Sequence, residues 1–473
     1  MSADAPTLTV SEIALFERDV HLRLPFRFGV VTLTYAPQVF VRARIRLGDG
    51  REGWGAAAEM LAPKWFDKDP ALSNDDNFDQ LRTALTLARD LYLDAGPLTA
   101  FALFAACYQD QVAAGAAHGL NPLVANYGPA LLDRAVLDAL CRVRGISVFN
   151  AMASNLAGIT NCSLVPDLDG FDMDAFVRSL RPARAIAARH TVGLVDAIGD
   201  PSGGPDDGLP RTLREAIAAY GHRWFKLKVA GDLDADLARL AEIAAELDRI
   251  DGAYHVTLDG NEQYRDADGV AVLLKRIAAT PALGRLAGAI AFIEQPIARG
   301  AALDTDVTAI AGRWPLLIDE SDATLDSFPR ARALGYAGVS SKSCKGLYKS
   351  ILNAARCRMW NEHAGAPRAF MSAEDLSTQA GLAVQQDLAL ASLIGCRHVE
   401  RNGHHYVNGM AGVPETEQAA FLAAHADLYH RAHGVVRLTI TGGDIALGSL
   451  ACPGFAAGAE PDWDALRPMP RAA

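Results

Sequence analysis

No stretch of this sequence approaches the roughly 18 consecutive apolar residues that a bilayer crossing needs, so no membrane span is expected. Residues 1–10 lack a basic region leading into an apolar one, and no signal peptide is read there. The seven cysteines are odd in number, scattered and without a Cys-x-x-Cys pair. That points to reduced thiols in a cytoplasmic protein rather than a disulfide frame or a zinc site. Basic residues are outnumbered, 45 Lys and Arg against 56 Asp and Glu, and a net charge of −11 argues against a nucleic-acid partner. An acid-binding site in such a chain needs its own local cations. No Gly-x-Gly-x-x-Gly follows a strand-like run, which argues against a dinucleotide site.

What is present is a chain of 473 residues, half of them apolar, long enough for two or three domains or for one barrel with a smaller partner. Residues 7–20 and 38–47 read as strands. In the second, Val39, Val41, Ala43, Ile45 and Leu47 alternate with Arg42, Arg44 and Arg46, the pattern of an antiparallel sheet with one wet face. Between them, 25–37 reads as a polar and aromatic loop, either a plain connection or a lid. The polar 61–96 stretch reads as a surface insertion, 129–145 as a helix and 159–190 as a linker or insertion with one helix at 173–180. From Thr191 the texture becomes regular strand–helix alternation. Strands are expected at 192–197, 224–229, 255–258, 289–293, 316–318, 338–341, 369–371 and 396–399, and eight of them read as a β/α barrel. Residues 435–446 offer a further strand pair returning to the N-terminal sheet. The expected frame is a capping domain over 1–158, a linker over 159–190, a barrel over 191–430 and a returning segment over 431–473.

Five of the barrel strands end in chemistry. They are Lys226-Leu227-Lys228, Asp259-Gly260-Asn261, Glu294-Gln295-Pro296, Asp319-Glu320-Ser321 and Lys342-Ser343-Cys344-Lys345. In a β/α barrel the C-terminal strand ends share one rim, so these groups converge on one mouth. Asp259, Glu294 and Asp319 are three hard oxygen ligands on neighbouring strands. Left together they would repel, and an all-oxygen set favours Mg²⁺ over zinc. Lys228 and Lys342 flank the trio as candidate bases. A lysine serves near neutral pH only if its pKa falls from about 10.4, and Lys226 and Lys345 are the nearby cations placed to lower it. Asn261 and Glu320 stand beside the ligands as supporting residues. Cys344, between two lysines, has either an activated thiol or, more plainly, a small side chain near a strand end.

These motifs resemble the enolase superfamily, specifically its muconate-lactonizing-enzyme-like subgroup, in which Lys-x-Lys, three carboxylates and a lysine occupy barrel strands two to six. Leu24-Pro25-Phe26, Gly53-Trp54-Gly55 and the 138–149 helix and turn look like the family's N-terminal cap. The resemblance implies a modified TIM barrel with an α+β capping domain completed by C-terminal residues, a Mg²⁺ cofactor on Asp259, Glu294 and Asp319, opposed acid/base residues Lys228 and Lys342, and a homo-oligomer. It also implies that the loop near 25–35 closes over a small-molecule carboxylate. Phe28, Thr32, Thr34 and Tyr35 there, with Ser372, Glu374, Glu400 and Arg401 on the last two strands, are the specificity candidates. The seventh strand carries no His, unlike mandelate-racemase-like members. The eighth, Val399-Glu400-Arg401-Asn402, lacks the Asp-x-Asp of dipeptide epimerases.

The expected reaction is removal of a proton α to a substrate carboxylate through a metal-stabilised enediolate. Two opposed lysines favour a racemase or epimerase. Cycloisomerase, dehydratase, a Schiff-base aldolase and a metal-binding barrel without turnover remain alternatives. His404-His405 resembles a metal pair, but neighbours on a strand face opposite ways, and a loop is the preferred reading.

Overall fold

The computed structural model describes residues 5–28, 31–201, 203–376 and 378–471. Strands β1 (Leu8–Phe28), β2 (Val31–Leu47) and β3 (Glu52–Met60) form an antiparallel sheet. Its apolar face packs on the Tyr127–Arg144 helix, which Gly145 ends in the left-handed conformation expected of a C-cap glycine. Gly55 permits that packing. A Cβ there would lie 2.1 Å from the Ala139 backbone nitrogen and 2.2 Å from the Ala135 carbonyl oxygen. The Gly53-Trp54-Gly55 motif is therefore a packing requirement, set by how closely the helix backbone approaches the strand.

Apart from residues 29–30, which lie outside the described residues, the 25–37 region is not a loop. β1 and β2 stay paired there, with Phe26 opposite Leu33 and Phe28 opposite Val31. Alternation along those strands turns Phe26, Phe28 and Leu33 inward and leaves Thr32 and Thr34 in solvent. Nor is 61–96 a surface excursion. Leu61, Trp65 and Phe66 are buried, and the Asn74–Asp94 helix buries Phe78, Leu81, Leu85 and Tyr92.

The barrel strands are β4 (Ala185–Val192), β5 (Trp224–Lys228), β6 (His255–Asp259), β7 (Ile290–Glu294), β8 (Leu316–Ile318), β9 (Gly338–Ser341), β10 (Phe370–Ala373) and β11 (His398–Arg401). All eight are parallel, neighbours in chain order pair, and β11 closes onto β4. The fold is a modified TIM barrel with an antiparallel cap. The first strand lies earlier than the 192–197 expected, because the polar residues Arg189, His190 and Thr191 disguise 185–192. Barrel helices follow their stripes: Asp232 caps Leu233–Leu247, which buries Leu237, Leu240, Ala244 and Leu247.

The tail corrects a further expectation. β12 (Tyr429–Ala432) pairs with β13 (Val435–Leu438), and β14 (Asp444–Ala446) pairs with the barrel strand β4, not with the cap. The return to the cap is β15 (Arg467–Pro468), which pairs with β1. Among the described residues no helix is long and apolar enough to cross a membrane.

Asp133, inside the capping helix, accepts a hydrogen bond from Tyr92 Oη at 2.7 Å, and its other oxygen is buried without a partner. Burial pushes its carboxyl up to about 8, against that hydrogen bond. The unfolded chain releases this proton near pH ~4, so the group's contribution is full below that pH and declines as pH rises to about 8, by up to about 1.4 kcal/mol per unit. Asp133→Asn is expected to flatten this part of the stability curve in urea denaturation between about pH 5 and about pH 9. An unchanged slope would show that Asp133 ionises normally.

Candidate active site

Strand register builds the site. Lys228 on β5 pairs with Asp259 on β6, and Asp259 pairs with Glu294 on β7, so these three side chains stand side by side at one level. Glu294 is also opposite Leu317 on β8, which places Asp319 on the same face one pleat higher. Lys226, two residues before Lys228, points into the same lumen. The turns that follow are tight: Asn261, Glu262 and Gln295 all have positive φ, at 40°, 70° and 31°. Non-glycine residues held there store backbone strain of the kind that clusters at functional sites.

Each candidate base rests on a carboxylate. Lys228 Nζ donates to Asp259 Oδ2 at 2.6 Å, and Lys342 Nζ donates to Asp319 Oδ2. The two lysines sit on the second and sixth of eight strands, opposite one another across the mouth. Burial alone would lower the Lys342 pKa, but Asp319 overrides it and holds the ammonium protonated, above the ordinary range. Lys345 is itself committed to Ser340 Oγ at 2.8 Å, Asp319 at 3.3 Å and Asp322 at 3.2 Å. The expected lowering of Lys342 by Lys345 is therefore not what this arrangement produces.

Lys226 lies in a cage of four carboxylates, Asp259, Glu294, Glu374 and Glu400, at 2.8–2.9 Å. Burial opposes its charge, but the four acids raise its pKa well above normal. Burial raises the Glu294 carboxyl, reinforced by Asp259 and Glu374, and Glu294 Oε2 has no hydrogen-bond partner. Asp259 is the reverse case, with burial outweighed by Lys226 and Lys228, so its pKa is lowered. Three buried carboxylates at adjacent strand ends, one with an orphaned oxygen, fit a hard divalent cation such as Mg²⁺.

The remaining expected residues divide. Asn261 Nδ2 donates to Glu320 Oε1 at 3.3 Å beside the trio, and Phe28 and Glu400 line the mouth. Glu374 is held by Lys226 and by Arg189, and Ser372 Oγ donates to Glu374 Oε1 at 2.6 Å from within the barrel. Tyr35 Oη donates to Asp19 at 2.8 Å, away from the site. Arg401 points out of the lumen to Asp387 and Asp375. Cys344 is buried, and burial pushes its thiol well up, so the flanking lysines do not activate it.

Several residues here escape sequence reasoning. Lys68 Nζ donates to the Asn261 carbonyl at 2.9 Å and pairs with Glu262, while Glu320 lies at 3.5 Å. Trp65 lies with its ring centroid 4.2 Å from Lys342 Nζ, and Phe26 lies 5.9 Å from Lys228 Nζ. Leu33, Ala62 and Leu376 complete an apolar wall. Only the in–out alternation at 26, 28 and 33 carried a readable signal. Nothing local marks Trp65 or Lys68, which reach the mouth through the docking of the cap. The mouth is partly open, and the space within it is small, ≈ 30 Å³.

Known proteins share this fold. Residues 208–434 match the family described as enolase C-terminal domain-like. No curated protein sequence matches the chain significantly. Among solved structures, the muconate lactonizing enzyme from Pseudomonas fluorescens complexed with muconolactone is 18% identical, with TM-score 0.60 over 97% of this chain and 98% of that one. An enolase from Bradyrhizobium complexed with magnesium and mandelic acid is 18% identical, with TM-score 0.59 over 97% of each chain. The L-Ala-D/L-Glu epimerase from Bacillus subtilis is 17% identical, with TM-score 0.57 over 95% of this chain and 99% of that one. Residues 208–434 thus match the enolase C-terminal domain-like family, and within that stretch the lysines and carboxylates stand in order on five consecutive strand ends.

Proposed function

We propose that this protein is an isomerase that removes and returns the proton α to a carboxylate of a small molecule, with racemisation or epimerisation as the outcome. The observation that carries the reading is the pair Lys228 and Lys342, on opposite strands with three carboxylates between them. Asp259, Glu294 and Asp319 would hold a Mg²⁺ ion. When bound, that ion offsets the negative charge that builds on the substrate carboxylate as its α-proton leaves. The relatives complexed with magnesium and mandelic acid, or with muconolactone, support both the cofactor and the substrate class.

The chain's own residues supply the rest. Asp259 Oδ2 and Asp319 Oδ2 each accept from one lysine, so the carboxylates that would hold the ion also aim the two Nζ atoms. One lysine takes the α-proton on one face, and the other delivers a proton to the opposite face. Lys226 gathers Asp259, Glu294, Glu374 and Glu400 into one rigid layer and offsets part of their charge. Phe26, Phe28 and Trp65 crowd the mouth above the two lysines and narrow the space left for a substrate. Phe26, Phe28, Leu33, Trp65 and Leu376 receive the α-substituent, so acids with an apolar side group are the substrates to try first.

The test is a panel of such acids in D₂O with Mg²⁺, followed by loss of the α-proton signal and by optical rotation. Exchange with inversion, abolished by a chelator, is the expected result. Exchange with loss of a β-substituent would instead mark a dehydratase, and ring opening or closure a cycloisomerase. A panel without any exchange would refute proton abstraction altogether.

A further inference from the structure

Away from the mouth, three buried histidines meet behind the barrel wall. His190 lies between Arg189 and Thr191 on β4. Those neighbours point into the lumen, toward Glu374 and Glu400, so strand alternation turns His190 outward. His222 lies two residues before β5, and His404 sits in the Gly403–Tyr406 helical turn after β11. Because β11, β4 and β5 are adjacent, the three rings arrive from three neighbouring strands behind the middle one. All three are buried, with 2%, 1% and 8% exposure.

The expectation that His404 and His405 lie in a loop fails here. A helical turn sets successive side chains about 100° apart, so His405 packs its ring edge-on against His190 at 5.0 Å while His404 presents a ring nitrogen to His190 and His222. One ring nitrogen from each of His190, His222 and His404 lies within 4.8 Å of the other two. His190 Nδ1 and His404 Nε2 are 3.4 Å apart. Two imidazole nitrogens on one tetrahedral ion at about 2.05 Å would be about 3.3 Å apart.

The proton positions suit ligation. His222 Nδ1 is 3.2 Å from the Ala188 carbonyl oxygen, which only accepts, so Nδ1 carries the proton and Nε2 the lone pair. That Nε2 is buried with no partner, as is His404 Nδ1. A ligating histidine characteristically gives its other N–H to a backbone carbonyl, as His222 does. Burial keeps all three rings in the neutral form that binds metal, His222 being lowered to about 4. A plain stack accounts for the 5.0 Å contact between the His190 and His222 rings but leaves the orphaned nitrogen unexplained.

We propose that His190, His222 and His404 form a second metal site, for a zinc-class divalent ion, on the seam where the last barrel strand meets the first. Three neutral nitrogens and no carboxylate select Zn²⁺, Co²⁺ or Ni²⁺ over Mg²⁺. Entry is from a cleft of ≈ 180 Å³ that has His404 and Tyr220 on its wall together with His430 and His433. Water from that cleft completes a four-coordinate shell. The ion ties β4, β5 and β11 together at the point where the barrel closes. Its function is independent of the proton-transfer chemistry at the mouth.

The full chain, stripped with chelator, is dialysed against Zn²⁺ in excess Mg²⁺ and crystallised, and anomalous diffraction is measured above and below the zinc edge. A zinc peak at about 2.0–2.1 Å from the three ring nitrogens is the expected result. A peak only at Asp259, Glu294 and Asp319, or none at all, overturns the proposal. In solution, Co²⁺ in excess Mg²⁺ should give the intense visible bands of a tetrahedral site, and His222→Gln and His404→Gln should each remove them. Bands that survive both substitutions also overturn it. The diffraction result stands on the unmutated protein, whatever the variants do to folding.

Discussion

Lys228→Ala and Lys342→Ala are each expected to slow interconversion of a substrate's two configurations by about 10²–10⁴-fold, the range for loss of a general acid or base. Each should nevertheless still exchange the α-proton of one enantiomer with solvent deuterium, and the two variants should differ in which one. The reason is geometric. The lysines stand on the second and sixth strands of an eight-stranded barrel, so each reaches one face of an α-carbon held between them. A reaction that needs a single base gives a different pattern. In an elimination or a ring closure, one variant loses turnover and the other keeps most of it. Resolving the substrate by chirality and following each hand by NMR separates these outcomes. Undiminished interconversion in either variant would remove that lysine from the reaction.

Arg134→Ala should cost about 3–5 kcal/mol of stability, the loss typical when one partner of a buried ion pair is removed. Arg134 is fully buried and donates to Glu59 Oε2 at 3.1 Å, the Ala58 carbonyl at 3.2 Å, Gln386 Oε1 at 3.3 Å and the Ala130 carbonyl at 3.0 Å. It thus joins a cap strand, the cap helix and the Leu382–Leu393 helix between β10 and β11. Burial already pushes the Glu59 carboxyl up, and Arg134 is the first-ranking influence that pulls it back. Without the guanidinium, Glu59 must protonate or stay charged without a counter-ion. Glu59 also accepts from Ser343 Oγ at 2.9 Å, one residue after Lys342, so the cap–barrel joint and the catalytic strand end share this network. Replacing both partners with apolar residues of similar volume should recover part of the loss, because the pair's desolvation cost disappears with it. Chemical denaturation of the single and double variants measures both effects. A single variant within about 0.5 kcal/mol of the parent would show that water reaches Glu59.

The chemistry of the mouth was legible along the chain because barrel topology turns sequence order into spatial order. A strand that ends in a charged residue places that charge on one rim, and consecutive strands are neighbours. Lys226, Lys228, Asp259, Glu294, Asp319 and Lys342 therefore declare themselves by position alone, and the in-register pairing of Lys228, Asp259 and Glu294 follows from it. The amphipathic stripes of the barrel helices and the alternation of Val39 to Leu47 were visible for the same reason: their periods are local.

Tertiary structure decided what has no local period. Trp65 and Lys68 reach the site only because the cap docks on the barrel mouth, and their own stretch reads as polar surface. Thr32 and Thr34 fall outside the site because the hairpin extends past Pro25, which sets the in–out phase of every residue after it. The Lys342 pKa depends on a carboxylate 23 residues away outweighing burial and Lys226, a contest settled by distance in space. The histidine cluster joins positions 190, 222 and 404 through strand adjacency at the barrel's closure, and no spacing along the chain announces it. Sequence by itself determined the barrel, its rim and the resemblance to the enolase superfamily. The wall that selects a substrate, the partner that sets each charge and the seam where the barrel closes belong to the folded chain, because each is a contact between segments that share no local signal.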